Sequence, residues 1–131
     1  QETVGVITLD RLLSKETNIG MIKIDVEGYE KQVLLGGKKT LENNALDVIQ
    51  IELNNSNNFY GYDENETISI LKNHGFKPYQ YYSQQKELVE LKRKNKDRRD
   101  TLFIRNIERV KNELYKKSIF IDKKEIIIEH C

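Results

Sequence analysis

The 131-residue sequence has no tryptophan, one proline and one cysteine. Because Cys131 has no second cysteine to pair with, an intrachain disulfide is excluded, which favours a reducing compartment. No apolar run approaches the roughly 20 residues that a membrane-spanning helix needs, and no signal-peptide pattern opens the chain. We therefore expect a cytoplasmic protein without a membrane partner.

A large excess of charge of one sign is also missing, because 22 basic residues face 21 acidic ones and leave a net charge of +1. Such a balance creates no overall field that would recruit nucleic acid. One local exception is "KRKNKDRR" at residues 92–99, with six basic residues and one acid. No aromatic residues interleave it, which favours a solvated hairpin loop over a phosphate-binding surface. We expect no nucleic-acid partner.

What the sequence does contain is a strand–helix–strand pattern. Residues 20–26 and 46–53 are short runs rich in Ile, Val and Leu, and a helical apolar stripe covers residues 29–42 between them. This order predicts a βαβ unit with parallel strands and a right-handed crossover. Gly36 and Gly37 each cost about 1 kcal/mol inside a helix. They therefore predict a close approach to the backbone, most simply by the sheet.

The remaining elements are indicated by local signals. Residues 3–9 are β-rich, and Asp10 is a plausible cap for a short helix that follows. Asp63 predicts the start of another helix, and Gly75 followed by Phe76 predicts a Schellman closure at its end. Further segments are predicted as a strand at 77–82, a charged connection over 86–99, an antiparallel neighbour at 100–106, a helix at 107–117 and a hairpin at 119–129. The fold class predicted is α/β.

Three acidic residues fall where the two parallel strands end. Asp25 and Glu27 follow the first strand and Glu52 ends the second, so parallel pairing would bring them to one edge of the sheet. Structural alternatives remain open: Glu27 or Glu30 could simply meet the positive end of the next helix, and Glu52 could simply neutralise Lys23. A divalent ion held by the three acids is conceivable, but nothing requires one, and we predict no metal.

Aromatic residues occupy the loop that follows the second parallel strand. Phe59, Tyr60 and Tyr62 would lie at the same edge as the acids, where they could line an acceptor pocket or act as a lid. They could equally cover the end of the sheet without contacting a ligand. We interpret them as candidate substrate-binding residues.

Five blocks within residues 3–106 stand out in this order: "TLDRLL", "IKIDVEGYEKQVLLGGKKTLE", "VIQIEL", "GYDENETISILKNHGF" and "DTLFIRN". The order of these blocks and their amino-acid sequences resemble the C-terminal half of FkbM-type methyltransferases, which use S-adenosylmethionine. The resemblance implies a class I methyltransferase-like, Rossmann-like sheet whose final strand inserts antiparallel. It divides the chain into residues 1–106, the C-terminal half of such a domain, and residues 107–131, a C-terminal extension.

The resemblance also implies roles for the acids. Asp25 aligns with the acid that faces the methyl-transfer centre and is the candidate for contact with S-adenosylmethionine, while Glu27 matches the motif and Glu52 ends the next strand. The cofactor loop of the family is rich in glycine, and the seven glycines here contain no such cluster. The chain therefore resembles the back half of the domain only.

The function implied by the resemblance is O-methylation of a small-molecule acceptor, a sugar or natural-product hydroxyl. Asp25 is the first candidate to orient or deprotonate that hydroxyl, followed by Glu52. The alternative is a non-catalytic binding or assembly module, because half a sheet exposes one edge strand and such edges recruit partners. That edge also predicts a possible homo-oligomer.

Overall fold

The computed structural model describes residues 3–54, 61 and 63–115, together with the backbone of two strands between residues 118 and 127. The elements, in chain order, are α1 (Leu9–Leu12), β1 (Met21–Ile24), α2 (Glu30–Leu35), α3 (Lys38–Glu42), β2 (Val48–Glu52), α4 (Glu64–Asn73), β3 (Lys77–Tyr82), β4 (Glu87–Glu90), β5 (Asp100–Ile104), α5 (Ile107–Leu114), β6 (Ser118–Ile121) and β7 (Lys124–Ile127).

The central sheet has the strand order β1-β2-β5-β3-β4. Strands β1 and β2 run parallel, with Lys23 opposite Gln50, which confirms the predicted βαβ unit. Strand β5 inserts between β2 and β3 and is antiparallel to both. The predicted antiparallel pair is therefore confirmed, and so is the α/β class, whereas the closer identification with a class I methyltransferase sheet stays a prediction.

One strand was not predicted. Residues 87–90 form β4, which pairs antiparallel with β3 and places Leu88 opposite Tyr81. This strand is short and has glutamate at both ends, which is why its residues were predicted to belong to a charged connection. Its residues form a strand because β3 lies beside them as a pairing partner, and not because their own β-propensity is high.

The N-terminal segment, residues 3–9, forms no strand although its residues are β-rich. Residues 3–7 are described without strand pairing, and α1 begins after Thr8, whose side-chain oxygen accepts a hydrogen bond from the N–H of Arg11 at 3.3 Å. Asp10 was predicted to cap this helix. Its carboxylate instead accepts hydrogen bonds from the backbone N–H groups of Lys39 at 3.1 Å and Thr40 at 2.8 Å, at the start of α3.

The helix predicted over residues 29–42 is broken into α2 and α3 at Gly36 and Gly37. The close approach that these glycines predicted is real, but its source is α1 and not the sheet. A Cβ atom on Gly37 would lie 2.8 Å from Cδ2 of Leu9, and one on Gly36 would lie 3.4 Å from Cβ of Thr8. The glycine pair therefore lets α1 dock against the α2–α3 junction.

Apolar residues cover both faces of the sheet. The main core, on the face that packs against α2, α3 and α4, is formed by buried residues that include Leu34, Leu41, Ile49, Ile51, Leu71, Phe76 and Phe103. A smaller cluster on the other face joins Tyr79, Leu88 and Ile104 to Ile107 and Val110 of α5. Since side chains alternate along β2, Gln50 and Glu52 share this second face with Val48.

The end of α4 and the contacts of Arg105 complete the fold. At the end of α4, Phe76 donates its N–H to the carbonyl of Leu71 at 3.1 Å and Gly75 donates to Lys72 at 2.9 Å. Gly75 has a φ of 84°, so the predicted Schellman motif is confirmed. Arg105 lies with its guanidinium 4.7 Å from the ring centre of Phe76 and donates to carbonyl groups of the α3–β2 connection, those of Leu41, Asn43 and Leu46.

The C-terminal backbone forms a separate two-stranded sheet. Strands β6 and β7 pair antiparallel, with Ser118 opposite Ile127, as predicted for a hairpin in residues 119–129. None of the helices in the described part of the chain is long and apolar enough to cross a bilayer.

Candidate functional site

The turn after β1 contains two consecutive residues with positive φ. Glu27 has a φ of 49° and Gly28 a φ of 105°. A left-handed conformation is uncommon for a residue with a side chain, so the turn needs support from its surroundings. That support comes from Glu30, which is 2% exposed and whose Oε1 accepts hydrogen bonds from the N–H groups of Gly28 at 3.0 Å and Val26 at 3.4 Å.

The turn brings the three predicted acids together. One carboxylate oxygen each from Asp25, Glu27 and Glu52 lies within 4.8 Å of the others. Parallel pairing of β1 and β2 places their carboxyl ends side by side, which is the physical reason for this arrangement. The predicted shared edge is therefore present in the structure. We call these three residues the acid cluster.

Each member of the acid cluster has a polar neighbour. Nζ of Lys23 lies 3.2 Å from Asp25, and Nη1 of Arg99 lies 3.8 Å from Glu52. The amide nitrogen of Asn54 donates to Glu27 at 3.4 Å. The alternative in which Lys23 neutralises Glu52 is therefore wrong, because Lys23 pairs with Asp25 and the counterion of Glu52 is Arg99, which directly precedes β5.

The acids differ in exposure and in electrostatics. The side chain of Glu52 is 12% exposed, whereas that of Asp25 is 41% exposed. Partial burial raises the pKa of Glu52, and the nearby carboxylates of Asp25 and Glu27 raise it further, against the lowering effect of Arg99. A carboxylate with a raised pKa is a better proton acceptor than an ordinary one, so Glu52 suits general base chemistry.

The spacing of the acid cluster would also allow its oxygens to share a divalent cation, since carboxylate oxygens are the ligands that Mg²⁺ and Ca²⁺ prefer. Clusters of exposed acids are common without any ion. The absence of a metal from the working site stays a prediction.

The basic segment at residues 92–99 lies at the same edge. Six of its eight residues are exposed, as predicted for a solvated loop, but it is not a hairpin loop. It connects β4 to β5, which are not neighbours in the sheet. Lys94 donates to the carbonyl of Leu53 at 2.9 Å and pairs at 2.7 Å with Glu64, whose side chain is 6% exposed. A charge pattern shows neither contact, because both partners are distant in the sequence.

The aromatic candidates Phe59, Tyr60 and Tyr62 lie outside the described residues. Their assignment to an acceptor pocket stays a prediction. Glu30, by contrast, is a structural residue of the site. It was considered as a partner for the positive end of α2, but its carboxylate accepts hydrogen bonds from N–H groups of the turn that precedes the helix.

The fold and site together define a class of protein. An α/β sheet with polar side chains gathered at the carboxyl ends of parallel strands is the arrangement in which α/β proteins bind ligands. The family model described as "Methyltransferase FkbM domain" matches residues 1–78, and the chain belongs to this family. The match ends before β4 and β5, whereas the resemblance in the sequence extended to residue 106. No curated protein and no solved structure gave a match.

Proposed function

We propose that this chain supplies the acceptor-binding edge of an S-adenosylmethionine-dependent methyltransferase that acts on a hydroxyl group of a sugar or natural product. Membership of the FkbM methyltransferase family supports the reaction class. The single observation that carries the assignment of the site is the acid cluster, with its oxygens within 4.8 Å at the carboxyl ends of β1 and β2.

The acid cluster suits the chemistry of the acceptor. A hydroxyl group must lose its proton as its oxygen forms the new bond to carbon, and a carboxylate within hydrogen-bond reach can take that proton. Asp25, which is more exposed than Glu52, would accept a hydrogen bond from the hydroxyl and orient it. Glu52 would receive the proton, because its carboxylate lies beside that of Asp25 and its pKa is raised.

The same groups fit one end of the cofactor. When bound, S-adenosylmethionine supplies a methyl group on a positively charged sulfur, and its amino group is also cationic. Clustered carboxylates attract such charges at short range. The seven glycines of the sequence form no glycine-rich loop for the nucleoside end. The residues of this chain therefore suit only the cationic end of S-adenosylmethionine, and Asp25 is the proposed contact.

A direct test is calorimetric titration of S-adenosylmethionine into the purified chain, followed by transfer of a radiolabelled methyl group to a panel of sugars and polyols. We expect binding, with Asp25→Asn and Glu52→Gln lowering methyl transfer by about a hundredfold or more, the scale of a lost general base. Glu16→Gln changes the same kind of charge at an exposed position, and it should leave both readouts unchanged. Absence of both binding and transfer would overturn the proposal for this chain.

A second function, that of an assembly module, is favoured by one observation. Strand β1 lies at the edge of the sheet and pairs only with β2 among the described residues. Met21 is 51% exposed and Val26 is 41% exposed beside that edge. Edge strands of this kind recruit further strands. Sedimentation velocity over a range of concentrations tests it: a dimer that Met21→Lys abolishes supports the module, and a monomer throughout contradicts it.

A further inference from the structure

The basic loop, residues 92–99, is held in place by hydrogen bonds of Asn95. Asn95 is 5% exposed, and its backbone N–H donates to Oγ1 of Thr101 at 2.9 Å. The side-chain oxygen of Asn95 accepts hydrogen bonds from the N–H groups of Asp97 at 3.0 Å and Arg98 at 3.3 Å. These bonds form an Asx turn that fixes the backbone beneath the cationic side chains.

The loop is also joined to the end of β2. The carbonyl of Arg99 accepts a hydrogen bond from the N–H of Leu53 at 3.0 Å, and Lys94 donates to the carbonyl of the same residue at 2.9 Å. Through Arg99, whose guanidinium lies 3.8 Å from Glu52, the loop reaches the acid cluster. A ligand bound at the loop would therefore lie next to the proposed centre of methyl transfer.

Between the loop and the end of β2 there is a shallow cavity, wide open to solvent, of about 460 Å³. This volume falls within the roughly 300–1,000 Å³ of ligand pockets. Its lining includes four cationic side chains, those of Lys94, Lys96, Arg98 and Arg99, and one acidic side chain, that of Asp97. The sign of the charge here is thus opposite to that of the acid cluster beside it.

The cations of the cavity differ in their partners. Lys94 lines the cavity and is paired with Glu64. Arg99 is 78% exposed and its contact with Glu52 is long, so this pair is weak and can rearrange. Among the described residues, no acid forms an ion pair with Lys96 or Arg98.

We propose that the cavity binds an anionic group, phosphate or carboxylate, carried by the acceptor, and that the acceptor is therefore an anionic sugar or similar polyol. Arg98 suits this role, because its planar guanidinium can donate two parallel hydrogen bonds to such a group. The anion would anchor one end of the acceptor while a hydroxyl reaches the acid cluster. This inference rests on the proposed function.

The test compares ligands that differ only in charge. Glucose 6-phosphate, glucuronate and glucose are titrated separately into the chain at low salt without cofactor, with inorganic phosphate as a fourth ligand. We expect one or both anionic sugars to bind about tenfold more tightly than glucose, the scale of a hydrogen bond between charged groups. The stronger of the two identifies phosphate or carboxylate as the preferred group.

Two variants separate the cavity from general surface charge. Arg98→Gln should weaken binding of the preferred anionic sugar about tenfold. Lys15→Gln removes one exposed positive charge in the segment that leads into the other end of β1, and should change binding less than twofold. Equal effects of the two variants, glucose binding as tightly as the anions, or no binding of any anionic sugar would overturn the inference.

The outcome is independent of the cofactor titration. A chain that binds S-adenosylmethionine but no anionic sugar overturns the anion site and leaves the proposed function intact. A chain that binds the anionic sugar through Arg98 but fails both the cofactor titration and the methyl-transfer assay overturns the proposed function and keeps the anion site.

Discussion

A carboxylate oxygen of Asp25 and one of Glu52 lie within 4.8 Å of each other, at the ends of two parallel strands. Asp25 is paired with Lys23 and Glu52 with Arg99, so neighbouring acids have separate counterions. Partial burial and the two nearby acids raise the pKa of Glu52.

This pair predicts a pH dependence of stability. Because the pKa of Glu52 is higher in the folded protein than in the unfolded chain, the folded state binds the proton more tightly. The resulting stabilisation is present below the ordinary pKa of glutamate and is lost as pH rises through the raised value. We therefore expect Glu52→Gln to increase stability relative to wild type more at about pH 8 than at about pH 4. Urea unfolding at both pH values measures this, and Glu16→Gln, at an exposed position, should show no such change.

The long-range cap formed by Asp10 predicts a loss of stability with the opposite pH dependence. Burial acts to raise the pKa of Asp10, but hydrogen bonds from Thr40 and Lys39 outweigh it and the pKa is lowered. Asp10→Ala should cost about 1–2 kcal/mol near neutral pH, as for other lost helix caps. Since a lowered pKa stabilises the fold only while the group is ionised, the cost should shrink as pH falls towards about 2.5. Urea midpoints that differ equally at both pH values would contradict this cap.

The glycine pair predicts a difference between two otherwise similar substitutions. A Cβ on Gly37 would lie 2.8 Å from Cδ2 of Leu9 and 3.3 Å from the carbonyl oxygen of Val33, whereas on Gly36 its nearest contact would be 3.4 Å. Gly37→Ala should therefore destabilise the protein by about 1 kcal/mol more than Gly36→Ala, the lower end of overpacking costs. Thermal unfolding of the two variants compares them directly. Equal melting temperatures would mean that Leu9 moves aside without cost.

The hydrogen bonds of Glu30 predict that its loss destabilises the protein and loosens the turn after β1. Its buried carboxylate holds the N–H groups of Gly28 and Val26, so Glu30→Ala should cost about 1–3 kcal/mol. It should also speed hydrogen exchange of the Gly28 amide. Glu30→Gln retains an acceptor oxygen and should restore part of both losses. Glu42→Ala, at the exposed end of α3, is the matched control and should leave exchange at Gly28 unchanged.

Much of the fold followed from local signals. The alternation of apolar residues predicted β1 and β2, and the pair Gly75–Phe76 predicted the end of α4, because each signal depends on backbone geometry within a few residues. The parallel direction of β1 and β2 followed from the helical segment between them, and with it the meeting of the acids at one edge.

Other features depended on partners far along the chain. Strand β4 exists because β3 lies beside it. The basic loop is ordered by Leu53, Glu64 and Thr101, none of which its own sequence indicates. A charged surface loop and a loop anchored by one buried pair have the same composition, so only the contacts distinguish them.

The sequence by itself determined where apolar and polar residues alternate along the strands, where the chain must turn through a glycine in the left-handed conformation, and which acids follow the parallel strands. Tertiary structure decided that Asp10 caps α3 and not its own helix, that α1 packs on Gly37, and that Arg99 pairs with Glu52. The physical reason is range: periodicity and turn geometry are properties of adjacent residues, whereas ion pairs and docking sites are set by which distant surfaces meet.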